Sequence, residues 1–221
     1  MALDGTMSDY CDVLRTAGEG RPMTVEVLRY DTGEVLRGEI NGDTPLEVIF
    51  SPAEEIMDEV NATPTGGATT YTGYQTLYDD TETITVDVPN EWDDIDGSSC
   101  DYNGGTIPCL SAAPDLTGFR ETYGTSGLFF ALYPGPEDIS ELLDIYAPGD
   151  CVDGGIYEYE DVVYTGFYQI WEDCGPVGSY TIVLAAVPED QSYTALLWSA
   201  IVVDADWEAL NKAFSTFYRL E

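Results

Sequence analysis

The stretch of sequence that decides the fold runs from residue 162 to residue 203 and reads VVYTGFYQIWEDCGPVGSYTIVLAAVPEDQSYTALLWSAIVV. It contains three apolar and aromatic segments, about Val162–Trp171, Tyr180–Val187 and Tyr193–Val203, joined by short turn-forming connections. Such connections predict that the three segments are neighbouring antiparallel strands. The last two are apolar at nearly every position, so we expect each to be covered on both faces of its sheet.

Helical patterns lie on both sides of this stretch. Asp115, Pro136 and Asp204 each stand at the start of a segment with apolar residues spaced three and four positions apart. A hairpin is predicted where Tyr74–Tyr78 is followed by alternating β-branched residues at 84–88. Together these patterns predict an α+β fold, an antiparallel sheet with helices packed against it.

Composition divides the chain into three parts. Residues 1–50 predict one short helix, capped by Thr6 or Ser8, and one hairpin. Residues 51–73 are rich in Pro, Gly, Thr and acids and predict a linker, and residues 74–221 predict the larger α+β domain.

The charge balance excludes several classes of function. The 221 residues include 42 acidic and 7 basic side chains and no histidine, which gives a net charge of −35. Because such a chain repels phosphate, we expect neither nucleic-acid binding nor docking on an anionic membrane. Ser-His-Asp and Cys-His catalysis are excluded by the missing histidine, which is also the commonest zinc ligand.

The five cysteines favour disulfides. We expect the pairs Cys100–Cys109, around a glycine-containing loop, and Cys151–Cys174, across two neighbouring strands, whereas Cys11 lies apart near the N-terminus. Four cysteines allow three pairings, and reduced buried thiols remain the alternative. Disulfides indicate an extracytoplasmic or secreted protein.

No segment of the sequence predicts membrane insertion. The longest apolar stretch, Ala195–Val203, is about half of the roughly 20 residues that a spanning helix needs. The first residues lack the basic and apolar regions of a signal peptide, so a secreted protein would have to carry its signal upstream of Met1.

Two parts of the chain resemble regions of bacterial proteases. Residues 4–15 (DGTMSDYCDVLR) and 24–35 (TVEVLRYDTGEV) resemble the C-terminal half of a PDZ domain from HtrA-like, trypsin-family proteases. Residues 84–92 (ITVDVPNEW), 112–119 (AAPDLTGF) and 164–167 (YTGF) resemble a PsbP-like accessory domain that follows the PDZ domain in some of these enzymes. The pair Cys151/Cys174 fits the second pattern.

The resemblance implies both a fold and a function. The fold would be a PsbP-like sandwich preceded by a partial PDZ helix-plus-hairpin. The function would be that of a non-catalytic accessory or regulatory region of an extracytoplasmic trypsin-like serine protease, for partner or substrate engagement. Its partner would be the upstream protease domain or a peptide or protein. The PDZ elements that hold a peptide would precede residue 1, so no peptide-binding residue is assigned. Half a PDZ domain would expose strand edges and apolar surface, which either self-association or the linker would cover.

One acidic segment carries a weaker signal for calcium. Asp94, Asp96, Asp101 and Asn103 alternate with other residues and are followed by glycines, a pattern that supplies oxygen ligands. A solvated acidic turn is the favoured interpretation, and no cofactor is otherwise predicted. The corresponding alternative function is a free-standing, calcium-dependent acidic binding module.

A carboxylate-pair glycosidase is the third hypothesis, and it requires a cleft with two acids about 5–10 Å apart. Adjacent acids are frequent, but 42 acidic residues produce such pairs by chance. The pairs are Glu54-Glu55, Asp79-Asp80, Asp93-Asp94, Glu137-Asp138 and Glu160-Asp161.

A group of aromatic residues is the last candidate, either as a ligand platform or as the packed faces of a sheet. Packing is the favoured interpretation. These residues are Tyr157, Tyr159, Tyr164, Phe167, Tyr168 and Trp171.

Overall fold

The computed structural model describes residues 21–28, 35–50, 70–161 and 163–220 of the chain. Of these residues, 51% lie in strands and 16% in helices. The strands are β1 (Met23–Leu28), β2 (Val35–Ile40), β3 (Glu47–Phe50), β4 (Tyr74–Tyr78), β5 (Ile84–Pro89), β6 (Asp94–Asp96), β7 (Cys100–Tyr102), β8 (Gly105–Ile107), β9 (Cys109–Ala113), β10 (Gly127–Pro134), β11 (Val152–Glu160), β12 (Tyr164–Cys174), β13 (Ser179–Pro188), β14 (Tyr193–Ile201) and β15 (Tyr218–Arg219). The helices are α1 (Leu116–Glu121), α2 (Ile139–Ile145) and α3 (Ala205–Thr216), and Gly175–Val177 forms one 3-10 turn.

A seven-stranded sheet organises the larger part of the molecule. Its order is β11-β12-β13-β14-β10-β9-β6, and all of its neighbours are antiparallel. Three smaller sheets, β15-β5-β4, β1-β2-β3 and the hairpin β7-β8, complete the described strands. In the large sheet β11 and β6 are the edge strands, and β14 lies at the centre.

One face of the large sheet packs against α3 and the sheet β15-β5-β4. Ile84, Val86 and Val88 alternate along β5 and are fully buried against this face. Helix α3 adds Leu210 and Phe214 to the same cluster. Burial of this apolar area is the main source of stability in the fold, at about 25 cal/mol per Å² removed from water.

The opposite face packs against the shorter helices. Leu142 and Leu143 of α2 cover Val183 and Ala185 of β13, which are completely buried. Helix α1 covers the neighbouring part of the face, where Phe119 and its neighbours form a separate apolar cluster. Because β13 and β14 are covered on both faces, the prediction from their continuous apolar sequence is confirmed.

The predicted fold class, a PsbP-like α+β sandwich preceded by a partial PDZ helix-plus-hairpin, is wrong. The chain is mostly antiparallel strand with few helices, and a second sheet, β15-β5-β4, shares with α3 the layer that we expected helices alone to form. The physical reason is the alternation in Ile84–Pro89, which buries one side of β5 and makes it a sheet surface that packs face to face on the larger sheet.

The N-terminal part also departs from prediction. Its described residues form the three-stranded sheet β1-β2-β3, in which the sequence pattern predicted only two strands. The missed strand, Glu47–Phe50, is only four residues long and follows a proline-containing loop. The predicted helix capped by Thr6 or Ser8, and residues 51–69 of the predicted linker, lie outside the described residues.

Two disulfides tie strands together at the ends of the large sheet. Cys100–Cys109 joins the start of β7 to the start of β9, and Cys151–Cys174 joins the residue before β11 to the last residue of β12. Cys11 lies outside the described residues. A chain with two disulfides fits an oxidising, extracytoplasmic setting.

Candidate functional site

The predicted calcium ligands of strand β6 have other hydrogen-bonding partners. Asp94 accepts a hydrogen bond of 2.8 Å from the Leu116 amide at the start of α1. Asp96 accepts from the Ser98 amide and hydroxyl and from the Arg120 guanidinium, which lies 2.7 Å away. The Ser98 hydrogen bonds, and then Arg120, lower the pKa of Asp96 to about 2. Both carboxylates therefore hold the loop and α1 in place.

The remaining two predicted ligands lie in the β7-β8 hairpin. Asp101 is exposed on β7, and Asn103 adopts a left-handed backbone conformation, φ 49°, in the turn. Asn tolerates that conformation better than most residues, which explains its place there. Among the residues that the structure describes, no group of three or more His, Cys, Asp or Glu side chains is placed to hold a metal ion. The structure therefore does not assemble Asp94, Asp96 and Asp101 into one site.

At least one carboxylate in each of the four described acid pairs has a structural role. Asp79 is 2% exposed and accepts hydrogen bonds from the Thr83 and Ile84 amides, at 2.7 and 2.8 Å, so it organises the β4-β5 turn. Asp161 does the same for the β11-β12 turn, and Asp138 caps α2. Glu54 and Glu55 lie outside the described residues.

A polar network is buried beneath α3. The Asp206 carboxylate is fully buried and accepts hydrogen bonds from the Ser126 and Tyr71 hydroxyls and from the Val202 and Val203 amides. Trp92 donates to the Tyr71 oxygen over 3.1 Å. Burial and the adjacent Asp206 raise the pKa of Tyr71 well above its ordinary value. Every oxygen of Asp206 has a donor, so the network holds α3 against β14.

An open pocket of about 720 Å³ lies at the β13-β14 turn beside the C-terminal strand β15. The Arg219 guanidinium stands 5.0 Å from the centre of the Tyr193 ring, and Glu189 and Asp190 are among the residues that line the pocket. A hydrogen bond from Ser192 lowers the pKa of Asp190, whereas a glycosidase acid requires a raised pKa. Asp190 therefore does not supply the acid of the glycosidase hypothesis.

Most of the singled-out aromatic residues are packed as the sequence indicated. Tyr159, Tyr164 and Tyr168 belong to the main core, and burial raises the pKa of Tyr159 well above its ordinary value. Phe167 is the exception, because 40% of it is exposed.

Phe167 lies on the face of β12 opposite to Tyr168, and it belongs to neither of the apolar clusters beneath α1 and α2. In the register of β11 with β12, Phe167 is directly opposite Glu158, and Ile156 is opposite Gln169. Side chains two positions apart on a strand share a face, so Ile156, Glu158 and Glu160 all stand on the same side as Phe167. Ile156 is 56% exposed, and both glutamates are exposed. We call these four side chains the edge surface.

The outer edge of β11 borders the edge surface. β11 is nine residues long, and within the described part of the chain it pairs only with β12, so the backbone groups of its other side have no strand partner. A bulge at Asp153/Gly155, with Gly155 at φ 109°, twists the start of the strand. The Cys151–Cys174 disulfide closes the same end. The edge is therefore held in place although no described strand covers it.

None of the helices in the described ranges has the length and apolar character to cross a membrane.

Comparison with known proteins identifies no family. No protein-family model matches the chain, and no curated protein matches it. The chain is similar to a solved structure of the Saccharomyces cerevisiae Ran-binding protein Mog1p, with 6% sequence identity and a TM-score of 0.41. The similarity covers 66% of this chain and 95% of that chain.

Sequence reasoning did not find the edge surface. The alternation of Phe167 with its aromatic neighbours favours two packed faces, and Glu160 enters the sequence analysis only as a member of the pair Glu160-Asp161. The available signal was the run Ile156-Tyr157-Glu158-Tyr159-Glu160, in which one face carries an isoleucine and two glutamates and the other carries two tyrosines. A strand whose polar face contains a large apolar residue is a candidate contact surface.

Proposed function

We propose that this chain is a non-catalytic region of a secreted protein and that it engages a protein partner or substrate through the edge surface. The observation that carries the proposal is the exposure of Ile156 and Phe167 beside the outer edge of β11, which pairs with no other strand in the described part of the chain. Apolar side chains exposed next to free backbone donors and acceptors are the features that peptide-binding sheets use.

The rigidity of this edge supports the proposal. The Cys151–Cys174 disulfide and pairing along β12 hold β11 in the extended conformation that a partner strand requires. Because the surface is ordered before binding, association does not have to order it.

Two features support a non-catalytic role. The sequence has no histidine to activate a nucleophile, and the hydroxyl of Ser126 donates to the buried Asp206 instead of facing a cleft. Hydrolysis of casein or a peptide by the purified chain that survives serine-protease inhibitor controls would contradict this part of the proposal.

The narrower proposal is that the chain regulates a trypsin-like serine protease domain encoded upstream of it. It is supported by the resemblance of residues 84–92 and 112–119 to accessory regions of such proteases. An upstream coding sequence with the order His, Asp and Gly-Asp-Ser-Gly is the expected result. An upstream sequence without that pattern would contradict the proposed regulation of a protease, but it would not affect the proposed binding role.

Selection from a library of random linear peptides tests the binding role directly. Peptides enriched on the wild-type chain should bind it again as synthetic peptides, and Ile156→Asp should reduce their affinity at least tenfold, or about 1.4 kcal/mol. Ile95→Asp is the matched control, because Ile95 is 41% exposed on β6, the opposite edge of the same sheet. Enriched peptides that tolerate Ile156→Asp, or the absence of any enrichment, would contradict the role assigned to the edge surface.

A further inference from the structure

The chemistry of the edge surface specifies the kind of segment that it takes. We propose that the partner of β11 is an extended, cationic segment that adds to the seven-stranded sheet as a further strand and places lysine or arginine side chains opposite Glu158 and Glu160. This inference rests on the proposed function and narrows it to one class of partner.

Strand addition is inferred from the backbone hydrogen-bonding groups at the two edges of the large sheet, β11 and β6. Among the strands that the structure describes, β12, β13, β14, β10 and β9 each have neighbours on both sides, whereas β11 and β6 have one neighbour each. β6 is three residues long and β11 is nine, so β11 offers the longer edge. An added strand satisfies these backbone groups, and its side chains fall opposite those of β11 at a period of two.

The side chains of β11 then fix the chemistry on each face of the added strand. On the open face, Ile156 favours an apolar partner, and Glu158 and Glu160 favour basic ones. On the other face, the strand meets Tyr157 and Val152, of which Val152 is 56% exposed, so apolar residues are favoured there. The expected partner segment therefore alternates basic and apolar residues. At the end that lies opposite Ile156 and Tyr157, it carries two apolar residues in succession.

The charge of β11 also favours a cationic segment over a second copy of the chain as the added strand. Two β11 strands paired edge to edge would bring the glutamates of both copies to one narrow surface, between molecules that each carry a net charge of −35. Like charges opposite each other destabilise strand pairing. A cationic partner is attracted by the same field, so its association is expected to be faster at low salt.

The glutamates also have a simpler explanation, since charged residues and bulges on edge strands prevent aggregation. Under that explanation β11 binds no strand of either charge. The two explanations therefore differ in one measurable result, the binding of a peptide of opposite charge.

Synthetic peptides that alternate lysine and valine over nine residues are the test ligands, measured by calorimetry or fluorescence anisotropy. We expect the Lys-Val peptide to bind the wild-type chain at 50 mM NaCl at least tenfold more tightly than the Glu-Val peptide of equal length. Raising the salt to 0.5 M should remove most of that difference.

Two N-methylated forms of the Lys-Val peptide test strand pairing without changing the protein. In a strand, the N–H groups of alternate residues point to the same side. One peptide is methylated only at the lysine amides and the other only at the valine amides. In one of the two peptides the methyl groups therefore replace the N–H groups that face β11, and in the other they replace only those that point away from it. One form should lose binding at least tenfold and the other should keep it. Equal loss in both forms would overturn strand addition.

A charge exchange in the protein tests the role of the glutamates. The double substitution Glu158→Lys, Glu160→Lys should reverse the preference, so that the Glu-Val peptide binds more tightly than the Lys-Val peptide. The double substitution Asp101→Lys, Glu121→Lys is the control, because it changes the net charge equally at exposed positions on other elements and should leave the preference unchanged. An equal change of preference in both double variants would overturn the assignment to β11 and leave only a general charge effect.

Failure of this inference is distinct from failure of the proposed function. If library-selected peptides depend on Ile156 but carry no basic residues, the cationic partner is wrong and the binding role stands. If Ile156→Asp changes the affinity of neither the synthetic nor the selected peptides, the cationic partner and the binding role are both wrong. The acids of β11 then serve only to protect the edge.

Discussion

The Ser126 hydroxyl donates a hydrogen bond of 2.6 Å to the buried Asp206 carboxylate, across 80 positions of the sequence. The two residues connect the start of β10 to the first turn of α3, and the amides of Val202 and Val203 donate to the same carboxylate oxygen at 2.8 Å. A single fully buried carboxylate thus fixes the turn between β14 and α3 and the position of the helix on the sheet.

Replacing this carboxylate by an amide is expected to destabilise the fold. Asp206→Asn puts an NH₂ donor where the carboxylate accepts from Tyr71, Ser126 and two amides, so one buried donor loses its acceptor. We expect a loss of about 2 kcal/mol in the free energy of unfolding, measured by urea titration of tryptophan fluorescence. Asp204→Asn is the control, since the Asp204 side chain makes no capping hydrogen bond. Equal losses in both variants would contradict the role of Asp206.

Asp79 and Asp80 offer a second matched comparison within one acid pair. Asp79 is 2% exposed and accepts from the Thr83 and Ile84 amides, whereas Asp80 is exposed. Asp79→Ala leaves those donors without acceptors at the β4-β5 turn, and we expect a loss of about 2–3 kcal/mol. Asp80→Ala should change the free energy of unfolding by less than about 0.5 kcal/mol. If the two variants unfold at the same urea concentration, the carboxylate of Asp79 does not organise the turn.

Local sequence patterns predicted the elements of this fold better than their arrangement. The continuous apolar runs predicted β13 and β14 with cover on both faces. Asp115 and Asp204 were both placed at helix starts, but only the Asp115 side chain caps its helix, by accepting from the Thr117 amide. The patterns at Tyr74–Tyr78 and 84–88 predicted the hairpin of β4 with β5, which the strand register confirms. They did not predict the pairing of β5 with β15 or the packing of this sheet on the larger one, because those contacts are distant in sequence.

The same limit applies to the candidate site. Period-two alternation indicates on which face Phe167 stands, but whether a helix covers that face depends on where α2 crosses the sheet. The sequence spacing likewise predicted Asp94 and Asp101 as ligands of one calcium site, but the two residues lie in strands of different sheets. Hydrogen bonds between residues distant in sequence, such as Leu116 to Asp94, leave no periodic signal.

The two disulfides should contribute unequally to stability. A cross-link between residues 23 apart, as in Cys151–Cys174, restricts the unfolded chain more than one between residues 9 apart, as in Cys100–Cys109. By loop entropy the expected contributions are about 3.4 and 2.6 kcal/mol. Paired Cys→Ala variants, compared by urea unfolding in a Cys11→Ser background to prevent thiol exchange, measure them. A larger loss from the shorter loop would show that native packing, instead of chain entropy, determines the order.

Asp96 gives the fold a dependence on acid pH. Its pKa is lowered from 3.8 to about 2, first by the Ser98 hydrogen bonds and then by Arg120, so the folded state favours the ionised form. The resulting stability is fully present above the unfolded pKa of 3.8 and is lost as the pH falls toward 2. Ser98→Ala should raise the pKa of Asp96 toward 3.8 and reduce the loss of stability in that window. Carboxyl chemical shifts from an NMR titration follow Asp96 directly, with Thr106→Ala, at an exposed position of β8, as the control. If the pKa of Asp96 is unchanged in Ser98→Ala, the Ser98 hydrogen bonds do not lower it. Arg120 would then be the cause, and Arg120→Gln would have to raise the pKa of Asp96.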